Sequence, residues 1–200
     1  SDVDYLVSLQ NDCNNNSGGL KSIYESLYDT LSCHYQNVRK QNVSVRITIG
    51  GLEVDVTPAK KQIGNTNSHS LWYSKKDTWR QTDILKHIKD VSLSGRINEI
   101  KLLKIWRELH MLDFPSIYLE YLIINHILLG KPKDANSLDD NIRHIFSSLA
   151  TGILNPLHLR VVDPANSENI LSDLLTSEEK NKIINVAKKF NQQTWGEVFY

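Results

Sequence analysis

Residues 43–60 read VSVRITIGGLEVDVTPAK, and this stretch predicts a β-hairpin. Apolar and polar residues alternate strictly on both sides of the pair Gly50-Gly51. Both positions of a two-residue hairpin turn need a positive φ angle, which glycine adopts without a steric penalty. The turn fixes the pairing of the two strands, so that Ile49 faces Leu52 and each earlier residue faces one later residue.

The same register assigns the side chains of the hairpin to two faces. Thr48 faces Glu53 and Arg46 faces Asp55 on a polar face, whereas the apolar residues share the other face. We expect the apolar face to pack on helices and the polar face to contact solvent. Arg46 could pair with Asp55 or contact a phosphate, and a plain cross-strand ion pair is the alternative.

A second acidic strand begins the sequence, where residues 1–7 read SDVDYLV. We expect a strand from Asp2 to Leu9. Asp2 and Asp4 then project from one face, because strand side chains alternate with a period of two. Carboxylates this close repel each other unless a cation lies between them. With Asp55 they would form a site for a divalent metal such as Mg²⁺, which prefers carboxylates, waters and substrate phosphates. The alternative is a solvated edge strand.

The composition describes a chain of 200 residues with balanced charge, in which 23 Lys and Arg residues offset 23 Asp and Glu residues. A protein that binds a nucleic-acid duplex usually carries a basic excess. We therefore expect small charged ligands and no long nucleic acid, although an ordinary protein surface explains the balance equally well.

Cysteine usage and hydropathy indicate the compartment. Cys13 and Cys33 lie far apart without metal-ligand spacing, which favours free thiols in a reducing cytoplasm. No run approaches the roughly 18 apolar residues of a membrane helix, and no signal-peptide pattern is present. We expect a cytoplasmic protein that does not contact a membrane.

The remainder of the chain separates into a mixed part and a helical part. Residues 20–31 predict an amphipathic helix, and residues 59–82 predict a long, irregular but ordered loop. We therefore expect an α+β protein with one domain at residues 1–82 and a helical domain at residues 83–200. Helices are predicted near residues 83–93, 95–110, 115–129, 137–150 and 176–190. Ser137 with Asp140, and Thr176 with Glu179, predict capping boxes at the starts of the last two helices.

Several segments resemble, in the same order along the chain, the motifs of the polymerase-β-like nucleotidyltransferases. Ser1–Val7 resembles their S-D-[IV]-D strand, and Leu52–Lys60 resembles their third-acid strand. Ile100–Trp106 (IKLLKIW) and Pro115–Glu120 (PSIYLE) resemble the LLKxW and SxxLE helices. Val161–Ile170 (VVDPANSENI) resembles the DPxxPxNN segment of oligoadenylate synthetase relatives. Together the segments resemble the bacterial CD-NTase branch, the kin of cyclic GMP-AMP synthase and oligoadenylate synthetase.

This resemblance implies a fold, a reaction and cofactors. The implied fold is a nucleotidyltransferase palm with a mixed sheet, followed by a C-terminal helical lobe, with nucleotides in the cleft between them. The implied reaction joins nucleoside triphosphates, ATP among them, through a 2′- or 3′-hydroxyl with release of pyrophosphate. The product would be a cyclic di- or trinucleotide second messenger in bacterial anti-phage signalling, and the cofactors would be two Mg²⁺ or Mn²⁺ ions.

The resemblance also assigns roles to single residues. Asp2, Asp4 and Asp55 would be the catalytic, metal-binding acids, and Asp55 would help to activate the attacking hydroxyl. Lys104 and Ser116 match the lysine and serine that hold the donor triphosphate. Lysine is a flexible point charge suited to phosphate, and Ser116 stands at a predicted helix start, where free amide groups attract anions.

Further residues belong to the candidate set of substrate-binding groups. Ser1 and Asp163 are, with Arg46, candidate substrate-binding residues. Asp163 could read a base edge through its carboxylate, and capping the turn before Pro164 is the alternative. Trp106, although part of a motif, is expected to lie in the core and not to stack on a base.

One motif of these enzymes precedes the acidic strand, a Gly-Ser step that grips the donor phosphates. The sequence starts at Ser1 and does not contain this step, so we expect weaker phosphate binding by this chain. Two alternatives to a cyclic product stay open. One is nucleotidyl transfer to a protein or RNA acceptor, and the other is a non-catalytic nucleotide-binding module.

Overall fold

The computed structural model describes residues 3–9, 19–64, 67–152, 154–190 and 195–199. The chain divides into two compact units, residues 1–85 and residues 86–200. The first unit contains a mixed β-sheet and a long helix, and the second unit is largely helical. The α+β class predicted from the sequence is therefore confirmed.

A six-stranded sheet forms the body of the first unit. Its elements are β1 (Val3–Leu9), α1 (Gly19–His34), β2 (Arg39–Lys40), β3 (Val45–Ile49), β4 (Leu52–Lys61), β5 (His69–Tyr73) and β6 (Thr78–Thr82). The strand order is β2-β3-β4-β5-β6, and these neighbours are antiparallel, whereas β1 pairs with β4 in parallel. The first acidic strand therefore lies directly beside the second.

The hairpin of β3 and β4 has the register that the glycine turn predicts. Ile49 pairs with Leu52, and Arg46 pairs with Asp55. Gly50 and Gly51 both adopt positive φ angles, 58° and 83°. The pairing prediction is confirmed because both of its determinants, the turn and the alternation, are local in the sequence.

The apolar face of the hairpin belongs to the core of the first unit. Val45 and Ile47 of β3 and Val54 of β4 are buried, and α1 contacts both strands. Tyr24 of α1 is fully buried, and its hydroxyl donates to the backbone oxygen of Gln41 at 2.6 Å. Burial of one aliphatic side chain, such as that of Val45 or Ile47, stabilises a fold by roughly 1.5–3 kcal/mol. Packing on one face therefore holds the register that arranges the polar face.

Residues 59–82 do not form the irregular loop predicted from the sequence. β5 and β6 form a second antiparallel hairpin in which Trp72 pairs with Trp79. Aromatic residues pack well on a pleated surface, which favours strands here. The connection between β5 and β6 lacks glycine, so the sequence contains no glycine-based turn signal between these strands. Residues Ser74–Lys76 form a 3₁₀ turn, and Asp77 takes the left-handed conformation at φ 46°.

From Ile84 onward the chain is mostly helical, as predicted. The elements are α2 (Ile84–Leu93), α3 (Ile97–Leu109), α4 (Ser116–Leu122), α5 (Leu138–Leu149), β7 (Val162–Asp163), β8 (Asn166–Ile170), α6 (Ser177–Phe190) and α7 (Trp195–Phe199). A π-helical turn, Ile123–Ile127, continues α4. Within the described ranges, no helix has the length and apolar character needed to cross a bilayer.

Trp106 lies at the centre of the core of the second unit. Its side chain is fully buried and packs edge-on against Phe146 of α5 and Phe190 of α6, with ring centroids 5.1 and 6.1 Å away. Edge-to-face aromatic pairs at such distances add stabilisation beyond the area they bury. The expectation that Trp106 is a core residue is confirmed.

Candidate active site

Asp4 and Asp55 are candidate acids that the structure places side by side. They are in-register partners on the neighbouring parallel strands β1 and β4. Neighbouring strands lie about 4.8 Å apart, and paired residues project from the same face of a sheet. Asp4 is exposed, whereas the side chain of Asp55 is 14% exposed. Ser1 and Asp2, the other predicted site residues of this segment, lie outside the described residues.

Arg46 holds Asp55 from the opposite side, as its cross-strand partner on β3. Its Nε donates to Oδ1 of Asp55 at 2.8 Å, and its Nη2 donates to Oδ2 at 2.7 Å. Its Nη1 donates to Oε2 of Glu53 at 2.6 Å. A guanidinium that donates in parallel to both carboxylate oxygens makes a strong, geometrically specific ion pair. The structure thus contains the cross-strand ion pair, and contact between Arg46 and a phosphate stays a prediction.

The carboxylate oxygens of Asp4 and Asp55 fit a hard divalent cation. Asp4 and Asp55 present carboxylates from adjacent strands, and oxygen ligands of this kind are those that Mg²⁺ prefers. Each oxygen of Asp55 has a lone pair beyond the one that accepts from Arg46. Among the described residues, no group of three or more His, Cys, Asp or Glu side chains could hold a metal ion. Because Asp2 lies outside that part of the chain, the site of three acids stays a prediction.

The candidate phosphate-binding residues lie on consecutive helices of the second unit. Lys104 of α3 pairs with Glu120 of α4, with 2.5 Å between Nζ and Oε1. Ser116 is the first residue of α4, and its hydroxyl oxygen accepts from Nη1 of Arg107 at 2.8 Å. Residues three or four apart on a helix are neighbours on its surface. The two contacts therefore lie one helical turn apart, and α3 and α4 bring Lys104 and Ser116 together.

Arg107 is a member of this group that the sequence did not single out. It also donates to the backbone oxygen of Phe114 at 3.0 Å. Its Nε and Nη2 donate to Oε1 of Glu108 at 3.0 and 2.6 Å. Arg107 follows Lys104 by three residues, and this spacing predicts that both cationic side chains lie on one face of α3.

Asp163 lies on β7 in the second unit, and its carboxylate is buried among protein partners. Nε2 of His87 lies 2.7 Å from Oδ1, which also accepts from the backbone N–H of Ala165 at 2.8 Å. Oδ2 accepts from Nδ2 of Asn169 at 3.1 Å. Burial raises the pKa of Asp163, but the hydrogen bonds from His87 and Ala165 outweigh it and hold the pKa below its usual value. This geometry matches the turn-capping alternative, and a base contact by Asp163 stays a prediction.

The fold of this chain resembles those of known proteins. No protein-family model and no curated protein matches the sequence. The fold matches CdnC of Escherichia coli MS115-1, solved with ATP, at a TM-score of 0.69 and 20% identity over 99% of this chain and 77% of that chain.

Two other solved structures show the same likeness. The CD-NTase CdnG of Bradyrhizobium diazoefficiens, in complex with GTP, matches at a TM-score of 0.61 and 12% identity over 95% of this chain and 72% of that chain. The cyclic AMP-GMP synthase DncV of Vibrio cholerae, in complex with the linear intermediate 5′ pppA(3′,5′)pG, matches at a TM-score of 0.63 and 18% identity. That match covers 96% of this chain and 55% of DncV.

These likenesses define the class of fold. The protein has a polymerase-β-like nucleotidyltransferase fold, with a mixed sheet that carries acids and a helical second unit. More narrowly, the fold is that of the CD-NTases, as the order of the sequence motifs predicted.

Proposed function

We propose that this protein is a metal-dependent nucleotidyltransferase that joins nucleoside triphosphates into a cyclic di- or trinucleotide. The observation that carries the proposal is the in-register pair of Asp4 and Asp55 in a sheet with the CD-NTase fold. The similar structures of CdnC and CdnG contain ATP and GTP, and the DncV structure contains a linear dinucleotide. Nucleoside triphosphates, ATP among them, are therefore the proposed substrates.

The acids of the first unit would prepare the attacking hydroxyl. In the proposed step, the hydroxyl oxygen of one nucleotide bonds to the α-phosphorus of another, and the bond from that phosphorus to pyrophosphate breaks. Asp55 would take part in removing the hydroxyl proton, and Asp2 and Asp4 would complete the ligand set. Bound Mg²⁺ or Mn²⁺ would neutralise the charge that develops on the phosphate oxygens.

The basic and hydroxyl groups would hold the reactants. Lys104 and Ser116 would bind the donor triphosphate, for which a cation and a hydroxyl donor provide complementary hydrogen bonds. Arg46 would contact substrate from its position beside Asp55, to which its Nε and Nη2 donate. Positioning of this kind supplies most of the catalysis in phosphoryl-type transfer, because the reaction needs little covalent chemistry from the protein.

The proposed product is a second messenger, and its proposed role is antiviral defence in bacteria, as the resemblance of the motifs implies. A cyclic product has no terminal phosphate and therefore resists phosphatase. A linear product carries a terminal phosphate, which phosphatase removes. Products attached to added RNA or protein would instead support transfer to a macromolecular acceptor. ATP binding without turnover would support the non-catalytic alternative.

The test is incubation of the purified protein with Mg²⁺ or Mn²⁺ and mixed nucleoside triphosphates, followed by phosphatase treatment and chromatography. We expect a phosphatase-resistant nucleotide from the wild type and none from the Asp4→Asn or Asp55→Asn variants. Asp29→Asn, which neutralises an exposed acid of α1, is the matched control and should behave as wild type. Undiminished product from the Asp55→Asn variant would refute the proposal.

A further inference from the structure

We propose that Arg107 is a further phosphate-binding residue, which contacts the polyphosphate of the substrate and orients the hydroxyl of Ser116. The inference rests on the proposed function, because it assigns a new member to the proposed triphosphate site. It begins from the two adjacent contacts between α3 and α4, Lys104 with Glu120 and Arg107 with Ser116. Arg107 is thus a neighbour of both predicted phosphate-binding residues.

The hydrogen bond to Ser116 decides which way its proton points. A hydroxyl group has one donor and two acceptor lone pairs. Because Nη1 of Arg107 donates to Oγ of Ser116 at 2.8 Å, one lone pair is occupied and the proton must point elsewhere. The same nitrogen donates to the backbone oxygen of Phe114 at 3.0 Å, which fixes the guanidinium against the segment before α4. The hydroxyl of Ser116 is therefore arranged as a donor, which is the role that an anion requires.

The opposite edge of the guanidinium is the part that would meet phosphate. Nε and Nη2 of Arg107 donate to Glu108, whose side chain is 70% exposed, whereas that of Arg107 is 17% exposed. Ion pairs with so exposed a partner contribute little to stability. Glu108 meets both donors with the single oxygen Oε1, whereas a phosphate group offers this edge two acceptor oxygens and more negative charge, so that the planar guanidinium binds it through two parallel hydrogen bonds. Glu108 would then be exchanged for phosphate when substrate binds.

An arginine at this position can contact Ser116 and Phe114 and bind an anion at the same time, whereas a lysine could not. A guanidinium has five N–H donors in a fixed plane, so one edge can hold Ser116 and Phe114 while the other edge binds an anion. An ammonium group has a single donor atom and would have to leave one set of partners. The replacement Arg107→Lys therefore keeps the charge and removes the simultaneous contacts.

Calorimetric titration with inorganic tripolyphosphate tests the inference, in buffer without divalent cations so that the acids of the first unit are not involved. We expect Arg107→Met to weaken binding by about tenfold to a hundredfold, as loss of a charge-assisted hydrogen bond does. Arg107→Lys should bind with intermediate affinity. Glu108→Gln should tighten binding by about twofold to fivefold, because the competing carboxylate is gone. Arg143→Met, which removes a half-exposed arginine of α5 from its ion pair with Asp139, is the matched control.

The outcomes separate this inference from the proposed function. Wild-type affinity of the Arg107→Met variant, or no binding of tripolyphosphate by the wild type, would overturn the inference even if the protein makes a cyclic nucleotide. Conversely, weaker binding of tripolyphosphate by Arg107→Met and tighter binding by Glu108→Gln would support the inference even if no nucleotide is formed. A purely structural role predicts that Glu108→Gln leaves the affinity unchanged, and this result also overturns the inference. If Arg107→Met lowers the melting temperature strongly, Arg107→Lys and Glu108→Gln decide the question.

Discussion

Replacement of Arg46 by methionine should destabilise the first unit and make its stability depend on divalent metal. Arg46 neutralises Asp55 through two hydrogen bonds, and Asp55 is the strand partner of Asp4. The Arg46→Met variant keeps most of the aliphatic bulk and removes the positive charge. The two acids then face each other without the guanidinium.

The magnitude follows from two contributions. A hydrogen bond to a charged group contributes about 1.5–3 kcal/mol, and partial exposure of this pair, at 22% and 14%, favours the lower end. Two unit charges about 5 Å apart repel by about 1 kcal/mol at the dielectric constant of water, and by about 3 kcal/mol at an effective value near 20. Arg46→Met should therefore cost about 3 kcal/mol. Asp55→Asn, which removes the pair and the repulsion together, should cost about 1–2 kcal/mol.

Urea unfolding of each variant, with and without Mg²⁺ at matched ionic strength, measures both effects. Arg39→Met is the control, because Arg39 also pairs with Glu53 but its side chain is 61% exposed. Such an exposed pair contributes about 0–1 kcal/mol. Mg²⁺ should stabilise Arg46→Met more than the wild type, since the cation supplies the positive charge beside Asp55 that the guanidinium no longer provides. The double variant Arg46→Met/Asp55→Asn should lose this extra response.

Two results would refute this reasoning. Equal destabilisation by Arg46→Met and Arg39→Met would show that the bidentate pair contributes no more than a surface ion pair. An equal response to Mg²⁺ in the wild type, the single variant and the double variant would show that Asp55 is not a metal ligand. Neither readout requires turnover, so the test is independent of the substrate.

The remaining predictions concern the two units separately, and urea unfolding checks each of them. Gly51→Ala should cost about 1–2 kcal/mol, because φ is 83° there, whereas the control Gly152→Ala should not destabilise; equal effects would contradict this. Trp106→Ala should cost about 3–5 kcal/mol through the cavity it leaves, and a loss below about 1 kcal/mol would contradict its place in the core. The pKa of Asp163 lies below the usual 3.8 in the folded state, so its carboxylate stabilises the fold above that pH and loses this effect as the pH falls through the folded pKa. Asp163→Asn should therefore be less stable than the wild type by about 1–3 kcal/mol near neutral pH and should lose less stability on acidification. An equal loss of stability on acidification in the variant and the wild type would contradict the lowered pKa of Asp163.

Features with local determinants could be predicted from the sequence. The hairpin register follows from Gly50-Gly51 and the alternation around it. The capping box predicted from Thr176 and Glu179 also forms, since the carboxylate of Glu179 accepts from the backbone N–H of Thr176 at 2.7 Å and the Thr176 hydroxyl accepts from the N–H of Glu179 at 3.2 Å. In both cases the partners are close in the chain, so few alternative pairings compete.

A similar motif failed where a competing partner lay just upstream. The spacing of Ser137 and Asp140 also predicts a capping box at the start of α5. Instead, the hydroxyl of Ser137 donates to Asp134 at 2.9 Å, and a 3₁₀ turn, Ala135–Ser137, precedes the helix. Asp134 provides the cap for that turn, so the capping box expected from Ser137 is wrong.

The parts of the candidate site that depend on distant pairing could not be predicted from residue patterns alone. The two acidic strands suggest from their sequence that Asp4 and Asp55 could share a cation, but no residue pattern pairs one strand with the other. Their adjacency requires parallel pairing of β1 with β4, for which no turn supplies a register. The contact of Arg107 with Ser116 depends likewise on how α3 packs against α4. A local pattern indicates which face a residue occupies, but not which element lies opposite that face.

The buried face of the hairpin therefore has a direct consequence for the polar face. If β3 slipped by one residue against β4, Arg46 would move to the face where Val45 and Ile47 are buried, and Asp55 would lose its bidentate partner. Exposing the two aliphatic side chains would alone cost roughly 3–6 kcal/mol, before the cost of burying a guanidinium. The ion pair itself contributes less than this. The arrangement of the candidate active site is thus stabilised mainly by apolar packing on the side of the sheet that faces away from it.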